Sequence, residues 1–266
     1  MKVAVAQFAS KPDATANRAR ALGLMRRAAE AGAELVVLPE AAMYPLDRPA
    51  AEIVRAAEAL DGPFVTALAE AASALGVTTI AGMFEKVPGE QRVHNTVVAV
   101  GAPGVLGRYR KLHLYDALGH RESDALVPGQ FDGNELLVLP LGEFVVGVVT
   151  CYDLRFPELF RALADKDVTV FAVSAAWVAG PLKQEHWTTM CRARAIENTT
   201  YLLAAAQPPP AYCGHSLVLD PMGVELAGLG ETDGVAVAEI SPERVRSVRA
   251  ALPMLSQRRY EVRPKP

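Results

Sequence analysis

The run VVGVVTCYDLRFPEL, residues 145–159, is apolar as far as Val149 and then delivers Cys151 to a short polar stretch that turns helical. A thiol at such a handover is open to two readings. Free cysteine is among the most buried residue types, so core packing is one. The other is a nucleophile displayed on a sharp strand-to-helix turn beside free backbone N–H groups. An unaided thiol is only a few per cent thiolate at neutral pH, so a nucleophile needs a base. The histidines, at 94, 113, 120, 186 and 215, carry no local Cys–His signature. A carboxylate is the other option. Glu40 closes the apolar run ELVVLPE, at the strand end where open α/β sheets place their clefts, or else as a solvated residue leaving the sheet. Lys111 closes VLGRYRK, as a site cation or as part of a surface basic cluster. A carboxylate, an ammonium and a thiol thus stand at three strand ends, and together they are the ingredients of nucleophilic catalysis. Cys191 and Cys213 read as packing.

The elements that carry these residues alternate between two periods. Strands are expected at 2–8, 33–40 and 77–85, with helices at 14–32, closing on Gly32, and at 62–76, with Pro63 in the first turn and Gly76 at the end. Residues 92–101 and 104–111 read as a hairpin through Ala102-Pro103-Gly104. Residues 112–134 form a polar loop, long enough to suggest function. Strands around Leu141-Gly142 lead to Cys151, a helix follows at 156–166, and a strand at 168–177. The pattern 183–199 is a helix with Trp187, Cys191 and Ala195 at four-residue spacing. TYLLAAAQ, GHSLVLDP and GVAVAEIS read as strands, and 241–252 as a helix capped by Ser241 before Pro242. Strand–helix alternation mixed with strands joined by short turns implies an α/β fold: a four-layer α-β-β-α sandwich of two mixed sheets with helices outside. No composition break divides the 266 residues, so 1–266 reads as one domain. Its last 15–25 residues read as a tail.

Bulk composition narrows the function classes. The chain is 51% hydrophobic and 21% charged, with a formal net charge of -3. That supplies a real core and argues against a nucleic-acid partner, which requires a basic face. No apolar run approaches the ~18–20 residues of a membrane span. The N-terminal apolar stretch is brief and alternating and reads as a first strand, not a secretory leader. Three widely spaced cysteines suit a reducing cytoplasm and not a disulfide scaffold. No metal-ligand spacing is present, and none is expected.

Taken in order, these blocks resemble the nitrilase, or carbon–nitrogen hydrolase, superfamily. LVVLPE at Glu40, GRYRKLHLYD at Lys111 and GVVTCYDLRFPEL at Cys151 match its Glu-Lys-Cys triad. HNT at 94–96, VPG at 127–129 and GHSLVLDPMG at 214–223 match further blocks. The resemblance implies that Cys151 attacks an amide carbon, that Glu40 serves as base and then acid, and that Lys111 steadies the oxyanion with the backbone N–H of Tyr152. It makes Glu122, in HRESDALVPG, a fourth member of the set. No cofactor is implied. Tyr152-Asp153 replaces the Trp-Glu pair of nitrile-cleaving members, and CYDLRFPEL resembles the Nit-like amidases, which cleave the terminal amide of small acids. A carbamoylase or a nitrilase is the alternative within the superfamily, and a catalytically silent binding or redox-sensing protein the alternative outside it. A carboxylate-bearing substrate implies a cation in the pocket. Arg155, one turn past the nucleophile, is the first candidate, with a structural salt bridge to Glu158 or a neighbour as its rival reading; His120 and Arg121 follow. Tyr44 and Trp177 are expected linings. The stretch AAWVAGPLKQEHW departs from the Nit-like pattern, which leaves the substrate open. The superfamily also implies a homodimer or higher homo-oligomer, paired through the helices at 156–166 and 183–198 with help from the C-terminal tail.

Overall fold

Apolar residues run unbroken through the first strands because both of their faces are covered. The protein is described by a computed structural model covering residues 1–263; the end of the expected tail, 264–266, lies outside the described residues. The first half comprises β1 (Lys2–Gln7), α1 (Ala14–Glu30), β2 (Leu35–Val37), α2 (Ala50–Ala56), α3 (Pro63–Leu75), β3 (Thr78–Lys86), β4 (Val93–Gly101) and β5 (Gly104–Arg110). Asp13 caps α1 by accepting from the N–H of Ala16 at 2.9 Å. Gly76 ends α3 in the left-handed conformation at φ +67°. Two expectations shift. The strand expected over 33–40 pairs regularly only at Leu35–Val37, because Pro39 has no N–H for the ladder. The helix α2 escaped the sequence reading, being a two-turn segment hemmed in by prolines.

The second half comprises β6 (Leu137–Leu141), β7 (Phe144–Thr150), α4 (Pro157–Ala164), β8 (Val170–Ala175), α5 (Lys183–Asn198), β9 (Tyr201–Ala206), β10 (Leu217–Leu219), β11 (Glu225–Gly228), β12 (Gly234–Glu239) and α6 (Pro242–Ala251). Ser241 accepts from the N–H of Arg244 at 3.1 Å and caps α6. The edge strand β11 is mostly exposed, so it lacks the apolar signature of a strand.

The strands form two six-stranded mixed sheets, ordered β12-β1-β2-β3-β4-β5 and β11-β10-β9-β8-β7-β6. Each has a parallel centre, β1–β2–β3 in one and β7–β8–β9 in the other. Strand alternation then sorts the side chains. Val3, Val5, Leu35 and Val37 join the core shared with the second sheet. Their neighbours Ala4, Ala6, Val36 and Leu38 pack with Leu24 and Met25 of α1 and Phe64 and Leu68 of α3. On the far side, Trp187, Cys191 and Ala195 of α5 are fully buried. The four-layer sandwich expected from the element pattern is the observed architecture.

This stacking sets three strand ends around one point. Glu40 lies just beyond β2, Lys111 one residue beyond β5, and Cys151 one residue beyond β7. Gly82 of β3 makes the approach possible. A Cβ there would stand 2.6 Å from the Glu40 Cα and 2.7 Å from the Ala41 N. Gly82→Ala is therefore expected to lower stability by about 1–3 kcal/mol. Because the displaced backbone is that of Glu40, it should also lower turnover by more than the loss of folded protein. Urea unfolding alongside rates of the expected amide hydrolysis, normalised to folded protein, checks this.

Candidate active site

At the centre lies a buried cation between two carboxylates. Lys111 is 1% exposed. Its ammonium donates to Glu40 Oε1 at 2.9 Å and to Glu122 Oε1 at 2.8 Å. The Lys111 N–H donates to the carbonyl of Asn95 at 2.9 Å, which carries the hairpin ladder one residue further and aims the side chain. Glu40 is fully buried, and its carboxylate also accepts from Asn95 Nδ2 at 2.7 Å and from the N–H of Ala176 at 2.7 Å. Gln207 Nε2 donates to the Glu40 carbonyl at 2.8 Å. Both sheets thus clamp this one residue. Glu122 opens a short 3₁₀ turn, Glu122–Asp124, within the long loop, and its Oε2 accepts from the N–H of Tyr115 at 2.8 Å.

These charges govern one another. Burial alone would strip Lys111 of its proton, but the Glu122 and Glu40 carboxylates outweigh it and hold the ammonium well above the ordinary lysine range. Burial pushes Glu122 up, with Glu40 adding to the effect and Lys111 opposing it. Burial likewise pushes the Cys151 thiol far up; Glu40 reinforces this, and Lys111 does not cancel it. Cys151 therefore rests as a thiol beside the Glu40 carboxylate.

The turn at Cys151 is built by Asp153. Cys151 itself is left-handed at φ +47°, a strained conformation for a non-glycine residue. It opens a 3₁₀ helix, Cys151–Arg155. The Tyr152 N–H lies in its first turn, where an N–H has no intrahelical acceptor. Asp153 is fully buried. It accepts from Tyr109 Oη at 2.7 Å and from the N–H groups of Thr150 and His113, both at 3.2 Å, and lies 2.7 Å from His113 Nδ1. The His113 ring stacks on Phe156 at 3.6 Å. The turn is thereby tied to the segment that carries Lys111.

A cavity of about 470 Å³ opens over this cluster. Cys151, Tyr152, Glu122, His120, Trp177 and Lys183 are in its wall, while Glu40 and Lys111 are enclosed and absent from it.

A sequence profile of the carbon-nitrogen hydrolase family matches residues 2–250. The chain belongs to the carbon–nitrogen hydrolase family. It is 40% identical to the deaminated glutathione amidase of Escherichia coli O157:H7 over 98% of both chains. It is 32% identical to the omega-amidase of Saccharomyces cerevisiae over 98% of this chain and 94% of that one. The crystal structure of a yeast member of branch 10 of the nitrilase superfamily superposes with a TM-score of 0.86 at 28% identity, covering 98% of this chain and 97% of that one. This carbon–nitrogen hydrolase therefore acts on non-peptide C–N bonds. Among the described residues, no helix is long and apolar enough to cross a membrane.

Within the hydrolase, Glu40, Lys111, Glu122 and Cys151 meet as the sequence motifs imply, and Trp177 and His120 reach the cavity wall. Two expected pocket residues do not. Tyr44 is absent from the wall; its ring joins the core of the first half and its hydroxyl donates to Glu52 at 3.0 Å. Arg155 is also absent. Its placement assumed α-helical spacing. A 3₁₀ helix has three residues per turn, so a residue four past Cys151 is rotated about 120° off its face. The guanidinium instead lies 4.8 Å from the Trp177 ring and 5.9 Å from the Tyr152 ring. It makes no bridge to Glu158, and among the described residues it meets no carboxylate. Sequence reasoning missed Asp153, Asn95, Gln207, Tyr115 and Lys183. Asn95 sat inside a recognised block, HNT, and Asp153 beside the nucleophile; nothing local marked the others.

Two outcomes follow from the electrostatics. Glu40→Gln removes a charge that holds the Cys151 thiol up, so iodoacetamide should label Cys151 at lower pH than in wild type while turnover collapses. Mass spectrometry after pH-stepped labelling, with Cys191 as internal reference, reads both. Lys111→Met leaves two buried carboxylates without their cation and should cost about 3–5 kcal/mol in a urea titration.

Proposed function

We propose that this hydrolase cleaves the terminal amide of a small carboxylate-bearing substrate, giving the acid and ammonia through a thioester on Cys151. The observation that carries the reading is a cysteine on a cavity wall, backed by a buried carboxylate that a buried ammonium orients. The relatives named deaminated glutathione amidase and omega-amidase support the substrate class.

The steps use only these groups. Glu40 takes the thiol proton as sulfur bonds to the amide carbon, so no free thiolate need accumulate. The carbonyl oxygen becomes an oxyanion, met by the Lys111 ammonium and the Tyr152 N–H. The C–N bond breaks as Glu40 returns the proton to nitrogen, and ammonia leaves. Water then gives a proton to Glu40 and attacks the thioester carbon. Collapse of that second tetrahedral species breaks the C–S bond and returns the proton to sulfur. Glu122 keeps Lys111 from swinging toward Glu40 alone, which preserves a donor for the oxyanion.

The same reading takes the enzyme as a homodimer in a reducing cytoplasm. Its cysteines are all free. Ile196 of α5 lies beside Gly223, and with the exposed Met222 and Val224 it makes an apolar surface of the kind that pairs subunits.

Ammonia release from an ω-amide of a dicarboxylic acid, with hydroxylamine trapping of the acyl group, tests the chemistry. Cys151→Ala should lower turnover by at least about 10⁴-fold while circular dichroism stays that of wild type. Ammonia release persisting in this variant would sink the mechanism. Light scattering at twice the monomer mass is the expected oligomeric result.

A further inference from the structure

The hydrolase buries a second lysine on the cavity wall, and its setting is the opposite of the first. Lys183, the first residue of α5, is 7% exposed. Its Nζ donates to the Tyr115 hydroxyl at 3.1 Å and lies 4.8 Å from the Tyr115 ring and 5.1 Å from the Trp177 ring. Among the described residues, no carboxylate lies within ion-pair distance of it. Where Lys111 has two anions, Lys183 has none. An ammonium offers three donors, and only one is taken. Aromatic faces compensate a buried cation only in part. The missing partner is an anion.

The position of Lys183 is held from the backbone. Its carbonyl accepts from Trp177 Nε1 at 2.8 Å, and its N–H donates to Gly180 at 3.1 Å. Tyr115 joins it to the chemistry, since its N–H holds Glu122 while its hydroxyl receives Lys183. The wall arginines are less suited. Arg48 is committed to Glu52 at 3.0 and 3.2 Å, and the Arg121 side chain is 74% exposed.

We propose that Lys183 is the seat of the substrate's distal carboxylate, so that the cavity takes an amide at Cys151 and a monoanionic carboxylate at Lys183. This rests on the amidohydrolase reading above and names the specificity residue within it. Binding the carboxylate supplies the absent counter-ion and places the chain between two aromatic rings.

The test compares glutaramate with pentanamide, its uncharged counterpart, in wild type, Lys183→Met, Lys183→Gln and Lys183→Arg. The ratio of kcat/KM for glutaramate over pentanamide should fall about 10- to 100-fold in the Met and Gln variants, through KM for glutaramate, and stay within about threefold in Arg. An unchanged ratio overturns the proposal, because a purely structural lysine would slow both amides alike. Glutarate protection of Cys151 from iodoacetamide reads the same seat without turnover. Protection should be lost in Lys183→Met and kept in Lys183→Arg; its survival in Lys183→Met overturns the proposal. If wild type hydrolyses neither amide, the amidohydrolase reading fails and glutarate protection alone decides the role of Lys183.

Discussion

The fold is organised around one buried ammonium held between two carboxylates. Lys111 has almost no access to water, and burial acts to discharge it. Glu40 and Glu122 reverse that, one from the end of β2 and one from the long loop. Removing one partner of a buried pair costs more than the pair itself stabilises, because the survivor is left uncompensated. The three segments are therefore bound to a common point. The loop over 112–134 is ordered near Glu122 for this reason, despite its polar, irregular sequence. The close packing of Glu40 on Gly82 is the steric half of the same constraint.

That cluster also explains why the nucleophile is stored in its neutral form. The Cys151 thiol faces a net excess of negative charge, and burial adds to the penalty on a thiolate. Reaction at this sulfur therefore has to begin with loss of its proton, and Glu40 is a carboxylate close enough to influence it. The left-handed turn at Cys151 would be strained alone. Asp153 holds it, by gathering Tyr109, Thr150 and His113 onto one carboxylate. Two buried lysines then differ in setting, Lys111 enclosed behind the cavity and Lys183 on its wall, with Tyr115 linked to both through Glu122 and its own hydroxyl. Lys111 is paired with two protein carboxylates. Lys183 is unsaturated and faces the remainder of the substrate.

Local pattern was sufficient for much of this. Glycine and proline at helix ends, period-two and helical spacing, and the hairpin at Ala102-Pro103-Gly104 placed most elements, because each is a property of neighbouring residues. The segments that escaped, α2 and β11, are short, and one is exposed at an edge, so neither carries a strong periodic signal. Glu40, Lys111, Glu122 and Cys151 were legible because each sits in a distinctive block whose order along the chain is itself informative.

What the chain alone determined was the set of groups that gather at the site, the sheet-and-helix layers and the family. Tertiary structure decided which side chains share a space. Arg155 stood at the right offset for an α-helix, and a 3₁₀ turn rotated it out of the cavity. Tyr44 followed Glu40 closely and was drawn into the core instead. Lys183 lay far along the chain, at the start of an ordinary-looking helix, and only folding buried its ammonium against Tyr115 and Trp177 without an anion. Burial and charge balance depend on residues distant in sequence, so no window of the chain contains them.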